Sequence, residues 1–161
     1  MPILYKLNKK YPSNSKIVSR LGKTLSNQVI AQNEEGWKFL KEAIILFKNE
    51  NNNEKVIDHI FYYLYNLLNN EYIELLQKEI EYYENEIKNQ PRYYQLLALY
   101  KESIGKPEEE IIKAFETAIN IAETNEEKLF SLKALLNYLS VDPDKNSAKI
   151  EELKVMRDKY E

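Results

Sequence analysis

Tyr93-Tyr94-Gln95-Leu96-Leu97-Ala98-Leu99-Tyr100, then Gly105-Lys106-Pro107-Glu108-Glu109-Glu110, then Ala114-Phe115-Glu116-Thr117-Ala118-Ile119: this stretch decides the fold. Its first part predicts a helix from about Arg92 to Ile104, closed by Gly105, because glycine accepts the left-handed conformation that ends a helix. Pro107 stands where a first helical turn has no use for its missing N–H. Glu108, Glu109 and Glu110 then sit at the positive end of the next helix dipole. Ile111, Ala114, Phe115, Ala118, Ile119 and Ala122 recur at the spacing of one buried helical face. The stretch therefore reads as a helical hairpin with a short turn.

The same grammar extends outward. Ile17, Leu21, Leu25 and Val29 step by four and predict a helix over Ser15–Gln32. Asn33 is placed to cap a second helix, with Trp37, Leu40, Ile44 and Phe47 inside. A third carries Val56, Ile60, Phe61, Leu64 and Leu67. Asn70 is placed to cap a fourth, where Ile73, Leu76, Ile80, Tyr83 and Ile87 step by three and four. Thr124 with Glu127 forms a capping box for a helix burying Leu129, Leu132, Leu136 and Leu139. Asp142-Pro143 opens the last helix, which ends in Leu153, Met156 and Tyr160. No segment alternates with period two, so the chain is all-α. Seven to eight antiparallel helices joined by short links stack as three to four hairpins, or close into a bundle.

A 36-residue shift favours stacking. Ile57, Ile60, Phe61 and Leu64 fall on Tyr93, Leu96, Leu97 and Tyr100, and these on Leu129, Leu132, Lys133 and Leu136. Only Lys133 breaks the apolar pattern, and Pro107 falls on Pro143. Moving back by 36 matches only half as well, and the second helices share no common shift.

Residues 91–122 resemble a tetratricopeptide repeat. The aromatic, leucine and small residue of the first helix (Tyr93, Tyr94, Leu96, Leu97, Ala98), the turn Gly105 and the spacing from Phe115 to Ala118 carry the resemblance. It departs from the family at Ile111, where alanine is usual, and in a turn one or two residues too long for Tyr94 or Tyr93 to take the usual aromatic place. The resemblance implies a right-handed solenoid whose first helices hold a partner peptide or protein on their concave face. On the 36-residue register that face holds Asp58, His59, Tyr62, Tyr65, Tyr94, Gln95, Lys101, Phe130, Asn137 and Tyr138. Tyrosine, with stiff apolar faces and a hydrogen-bonding tip, suits such a surface.

The chain has 161 residues, 30% of them charged, and a net charge of −3. Residues 1–33 contain six bases and no acid, a charge of +6. The other 17 bases and all 26 acids lie beyond, so the remainder carries −9. An acidic body favours a basic or apolar guest. Residues 1–14, with two prolines and no helical period, read as a basic extended arm, and 15–161 as a single helical repeat-like domain. The basic segment offers a second function, electrostatic association with anionic membrane or nucleic acid, of which an arginine-poor arm on an acidic body disfavours nucleic acid. A third reading is homo-oligomerisation through the Ile3–Leu7 arm or the apolar first hairpin (Trp37, Phe39, Leu40).

Catalysis is not expected. His59 is the only histidine, cysteine is absent, and the three glycines stand isolated, so no phosphate loop exists. No cofactor or metal site is anticipated. The longest apolar run, Ala43 to Phe47, is far below the ~20 residues of a membrane span. The sequence is read as that of a cytoplasmic, non-catalytic interaction scaffold.

Overall fold

A computed structural model describes residues 2–28 and 33–160. Nine α-helices lie among the described residues, one more than the upper expectation. They are α1 (Pro2–Lys10), α2 (Ser15–Gln28), α3 (Asn33–Asn49), α4 (Asn53–Asn69), α5 (Ile73–Ile87), α6 (Pro91–Ser103), α7 (Glu108–Ile121), α8 (Asn125–Leu139) and α9 (Pro143–Asp158). No strand occurs among the described residues, and none of their helices is long and apolar enough to cross a membrane. The chain forms two compact units, Met1–Tyr83 and Glu84–Glu161.

The added helix is α1, and the expected extended arm is thereby corrected. Pro2 occupies the first turn, where proline costs nothing, and Pro12 follows the end. Nine residues are too few to show a period and too few to be helical alone. Docking supplies the stability: α1 packs on α2, and the Tyr5 hydroxyl donates to Glu35 Oε1 on α3 at 3.0 Å.

In the first unit α2, α3 and α4 pack in succession around Leu21, Leu25, Leu40, Ile44, Phe61 and Leu64, all essentially without solvent contact. Backbones of α2 and α3 touch at two glycines. A Cβ on Gly22 would lie 2.8 Å from Leu40 N, and one on Gly36 only 2.4 Å from Ser26 N. Trp37 anchors α3: its ring meets Tyr72 edge-on at 4.6 Å, and its Nε1 donates to Asn66 Oδ1 at 2.5 Å. The expected position Val29 lies outside the described residues.

The second unit buries Ala98, Phe115, Leu132, Leu135, Leu139 and Leu153 in one cluster drawn from all four of its helices. Burial of a side chain such as Phe115 contributes about 1.5–3 kcal/mol. The predicted capping box is present: Thr124 Oγ1 accepts from Glu127 N, and Glu127 Oε2 accepts from Thr124 N, both at 3.1 Å. Asp142 caps α9 as expected, and Pro91 rather than Arg92 begins α6.

Three turns share one geometry. Asn51, Glu71 and Gly105 have φ of 55°, 62° and 68°. In each, the following amide reaches back five residues: Asn52 N to Phe47 O, Tyr72 N to Leu67 O, and Lys106 N to Lys101 O. This bonding satisfies helix-end carbonyls and terminates α3, α4 and α6. It also corrects the role expected of Asn70, which is the C-cap of α4 rather than an N-cap for α5. Asn33, expected as a cap, is the buried first residue of α3, and its Nδ2 donates to Asn70 Oδ1 at 2.7 Å.

Candidate functional site

Within each unit, alternate helices are tied side by side. In the second unit, Gln95 Nε2 on α6 donates to Ser131 Oγ on α8 at 2.9 Å. Lys149 on α9 pairs with Glu116 on α7 at 2.8 Å, and Lys145 pairs with Glu108. In the first unit, Ser19 on α2 bonds His59 on α4, and Lys41 on α3 pairs with Glu79 on α5 at 2.7 Å. Each of these ties joins a helix to the next but one along the chain.

The residues assigned to a partner face divide sharply. His59 and Gln95 occupy equivalent places in the 36-residue register, and both are interior, 2% and 3% exposed. Neither presents itself to a partner, which corrects the expectation. Position 131, the next equivalent, is the fully buried Ser131. The side chain at this place points between adjacent first helices, where a polar group persists only if its neighbour bonds it.

His59 is bonded on both ring nitrogens. Nδ1 lies 2.7 Å from Lys55 O and Nε2 lies 2.6 Å from Ser19 Oγ. A carbonyl only accepts, so Nδ1 carries the proton and the Ser19 hydroxyl donates to Nε2. Burial holds the ring's pKa below its ordinary value, outweighing the backbone bond to Lys55, and Lys23 adds to the lowering. No local pattern links Ser19 to His59. The signal was a 40-residue separation in the part of the chain where the 36-residue match fails. Ser19 is 8% exposed, so the enclosed pair holds α2 to α4.

The other residues assigned in the first unit are largely occupied. Tyr62 donates from its hydroxyl to Lys23 O at 3.4 Å, while Lys23 Nζ sits 5.1 Å above its ring. Tyr65 packs on Phe61 at 6.5 Å, and Asp58 is half-buried beside His59. These groups bind the unit to itself.

The second unit keeps an open face. Tyr94 and Phe130 each precede the bonded pair Gln95–Ser131, one on α6 and one on α8. Lys101 and Asn137 lie seven residues further along the same two helices, about two turns on. Phe130 is 57% exposed. It borders a cleft of about 370 Å³ between the starts of α6 and α8, lined also by Gln90, Pro91, Arg92, Glu126 and Glu127. The Glu127 carboxyl there is held below the usual range, first by bonds from the Thr124 and Glu123 amides, with Arg92 assisting. Tyr94 stands edge-on to Tyr93 at 5.1 Å, and Lys101 pairs with Glu110 at 2.9 Å. Tyr138 turns inward onto Phe115 at 5.5 Å, and burial raises its phenol pKa. The face thus offers one apolar anchor, a rim of Glu126, Glu127 and Arg92, and an exposed amide, Asn137.

The fold and this face define an all-α chain in which α1 to α4 pack in succession in the first unit and α6 to α9 in the second, consistent with a helical repeat. Compared with protein-family models, with curated proteins and with solved structures, the chain matches none of them.

Proposed function

We propose that this chain is a non-catalytic, cytoplasmic interaction scaffold, a divergent tetratricopeptide-like array that holds a partner protein or peptide on its first-helix face. The observation that carries the reading is the Gln95–Ser131 bond between register-equivalent residues, which joins α6 to α8 and leaves Tyr94 and Phe130 beside it. Phe130 is a stiff aromatic exposed next to a cleft, the kind of group that dominates binding when a partner covers it. Glu126, exposed on the rim beside Phe130, favours a guest with a basic residue next to an apolar one, while Glu127 is engaged by the capping-box amides and Arg92.

A photo-reactive phenylalanine analogue placed at position 130, in the full chain expressed in its native cells, tests this. The control position is Val155, exposed on α9, a second helix. A discrete adduct from 130 that is absent from 155, and weakened by Tyr94→Ala, supports the reading. No adduct at 130, or the same adduct from both positions, overturns it.

A further inference from the structure

The helix α1 serves neither core, and none of its residues is buried. Ile3 is 73% exposed, Tyr5 and Leu7 each 38%, and Tyr11 just beyond the helix 46%. At 100° per residue Ile3 and Leu7 share one side of the helix, while Lys6 and Lys10 form the adjacent row. Leu4 and Asn8, which are half-buried, mark the opposite flank toward α2. Lys9 completes a helix with three bases and no acid, and Lys16 and Arg20 follow, exposed on α2. Of the two acids that open α3, Glu35 is already engaged by the Tyr5 hydroxyl.

We propose that α1 is an interfacial anchor that docks this protein on an anionic lipid surface. Ile3 and Leu7 enter the boundary between headgroups and acyl chains, and Lys6, Lys9 and Lys10 engage lipid phosphates and carboxylates. A short amphipathic helix binds weakly through either signal alone, and stable attachment needs apolar burial and charge together. Both are present on this one helix. The occupant is chosen by chemistry. A nucleic acid would use the lysines but gains nothing from exposed isoleucine and leucine against its phosphates. Pairing of α1 with α1 of a second copy would bring like charges together, since residues 1–33 carry six bases and no acid. Docking of α1 on the acidic remainder of a second copy would appear as self-association without vesicles; such self-association, lost in Ile3→Ser/Leu7→Ser and with no vesicle binding, overturns the proposal.

The test is flotation of the full chain with vesicles of phosphatidylcholine alone and of phosphatidylcholine with phosphatidylserine, at low and physiological salt. Binding is expected only to the anionic vesicles and weaker at the higher salt. Lys6→Gln and Lys10→Gln should each weaken it about fivefold. Ile3→Ser/Leu7→Ser should weaken it at least about tenfold, with an unchanged circular dichroism spectrum and thermal midpoint, because both residues are exposed. Absence of vesicle binding, equal binding to neutral vesicles, or insensitivity to Ile3→Ser/Leu7→Ser overturns the proposal. Duplex DNA binding that depends on the lysines and ignores Ile3 and Leu7 overturns it in favour of a nucleic-acid arm.

Discussion

Gln95 and Ser131 stand 36 residues apart in the chain and 2.9 Å apart in space, the Gln95 amide donating to the Ser131 hydroxyl. The spacing is that of the 36-residue apolar register, so the α6–α8 contact is consistent with that register, whereas the Ser19–His59 tie in the first unit spans 40 residues. Gln95 and Ser131 are both buried, and removing one strands the other. Gln95→Leu and Ser131→Ala should each cost about 1–3 kcal/mol in urea unfolding. The double variant should lose less than the sum of the two, because the pair acts as a unit. Strict additivity would mean that the bond does not tie the helices.

The Ser19–His59 pair makes stability depend on pH. His59 takes up a proton in the folded chain at a lower pH than its ordinary value near 6.5. Between those two values the unfolded chain binds more protons, so folding stability rises with pH. The contribution is complete above about pH 6.5 and is lost as pH falls toward the folded value. Charged groups around the ring are Lys23 on α2 and Lys55 and Asp58 on α4, with Phe47 of α3 packed against it at 4.9 Å. Urea midpoints measured from pH 7.5 down to 5 should fall more steeply for the wild type than for His59→Leu, whatever that variant's absolute stability. Parallel profiles would refute the assignment.

At Gly36 the chain has no room for a methyl group. Its Cβ would meet the backbone nitrogen of Ser26, which cannot swing aside as a side chain can. Gly36→Ala should therefore cost about 1–3 kcal/mol or more by forcing α2 from α3, despite alanine's better helix propensity. Thermal unfolding reports this directly, and an unchanged or raised midpoint would show that the two backbones do not touch.

Glu71 adopts a positive φ that glycine holds without cost, and its side chain is exposed. Glu71→Gly should be neutral or stabilising by up to about 1 kcal/mol, the relief of left-handed strain offset by the freer unfolded chain. The matching change Gly105→Ala, with nothing within 4 Å, should destabilise by about 1–2 kcal/mol from backbone strain alone. Thermal midpoints moving in the reverse order would contradict the shared turn geometry.

Much of the fold was legible because it is local. The steps among Ile73, Leu76, Ile80, Tyr83 and Ile87, the Thr124 box and the Asp142 cap are short-range patterns, and all appear where they were read. Helix α1 was not legible, since its stability comes from α2 and from Glu35 and not from its own period. Asn70 was misread because asparagine serves either end of a helix, and only the chain's path past Glu71 selects one. The candidate face was half legible. The register located the first-helix side chains, yet a one-residue step turns a helix by 100° and moves a side chain from the face to the seam. Phe130 therefore stays exposed and Tyr94 half-buried, while Ser131 and Gln95 are interior.

What the sequence alone determined is the all-α character, most helix limits and the buried stripes, because each follows from hydrophobic period and capping chemistry within a few residues. The tertiary structure alone decided which polar groups are pins and which are surface. It also placed His59 against Ser19 and brought two glycines into backbone contact. Those outcomes depend on pairing groups far apart in the chain, and no local free-energy term distinguishes a bonded polar side chain from a solvated one.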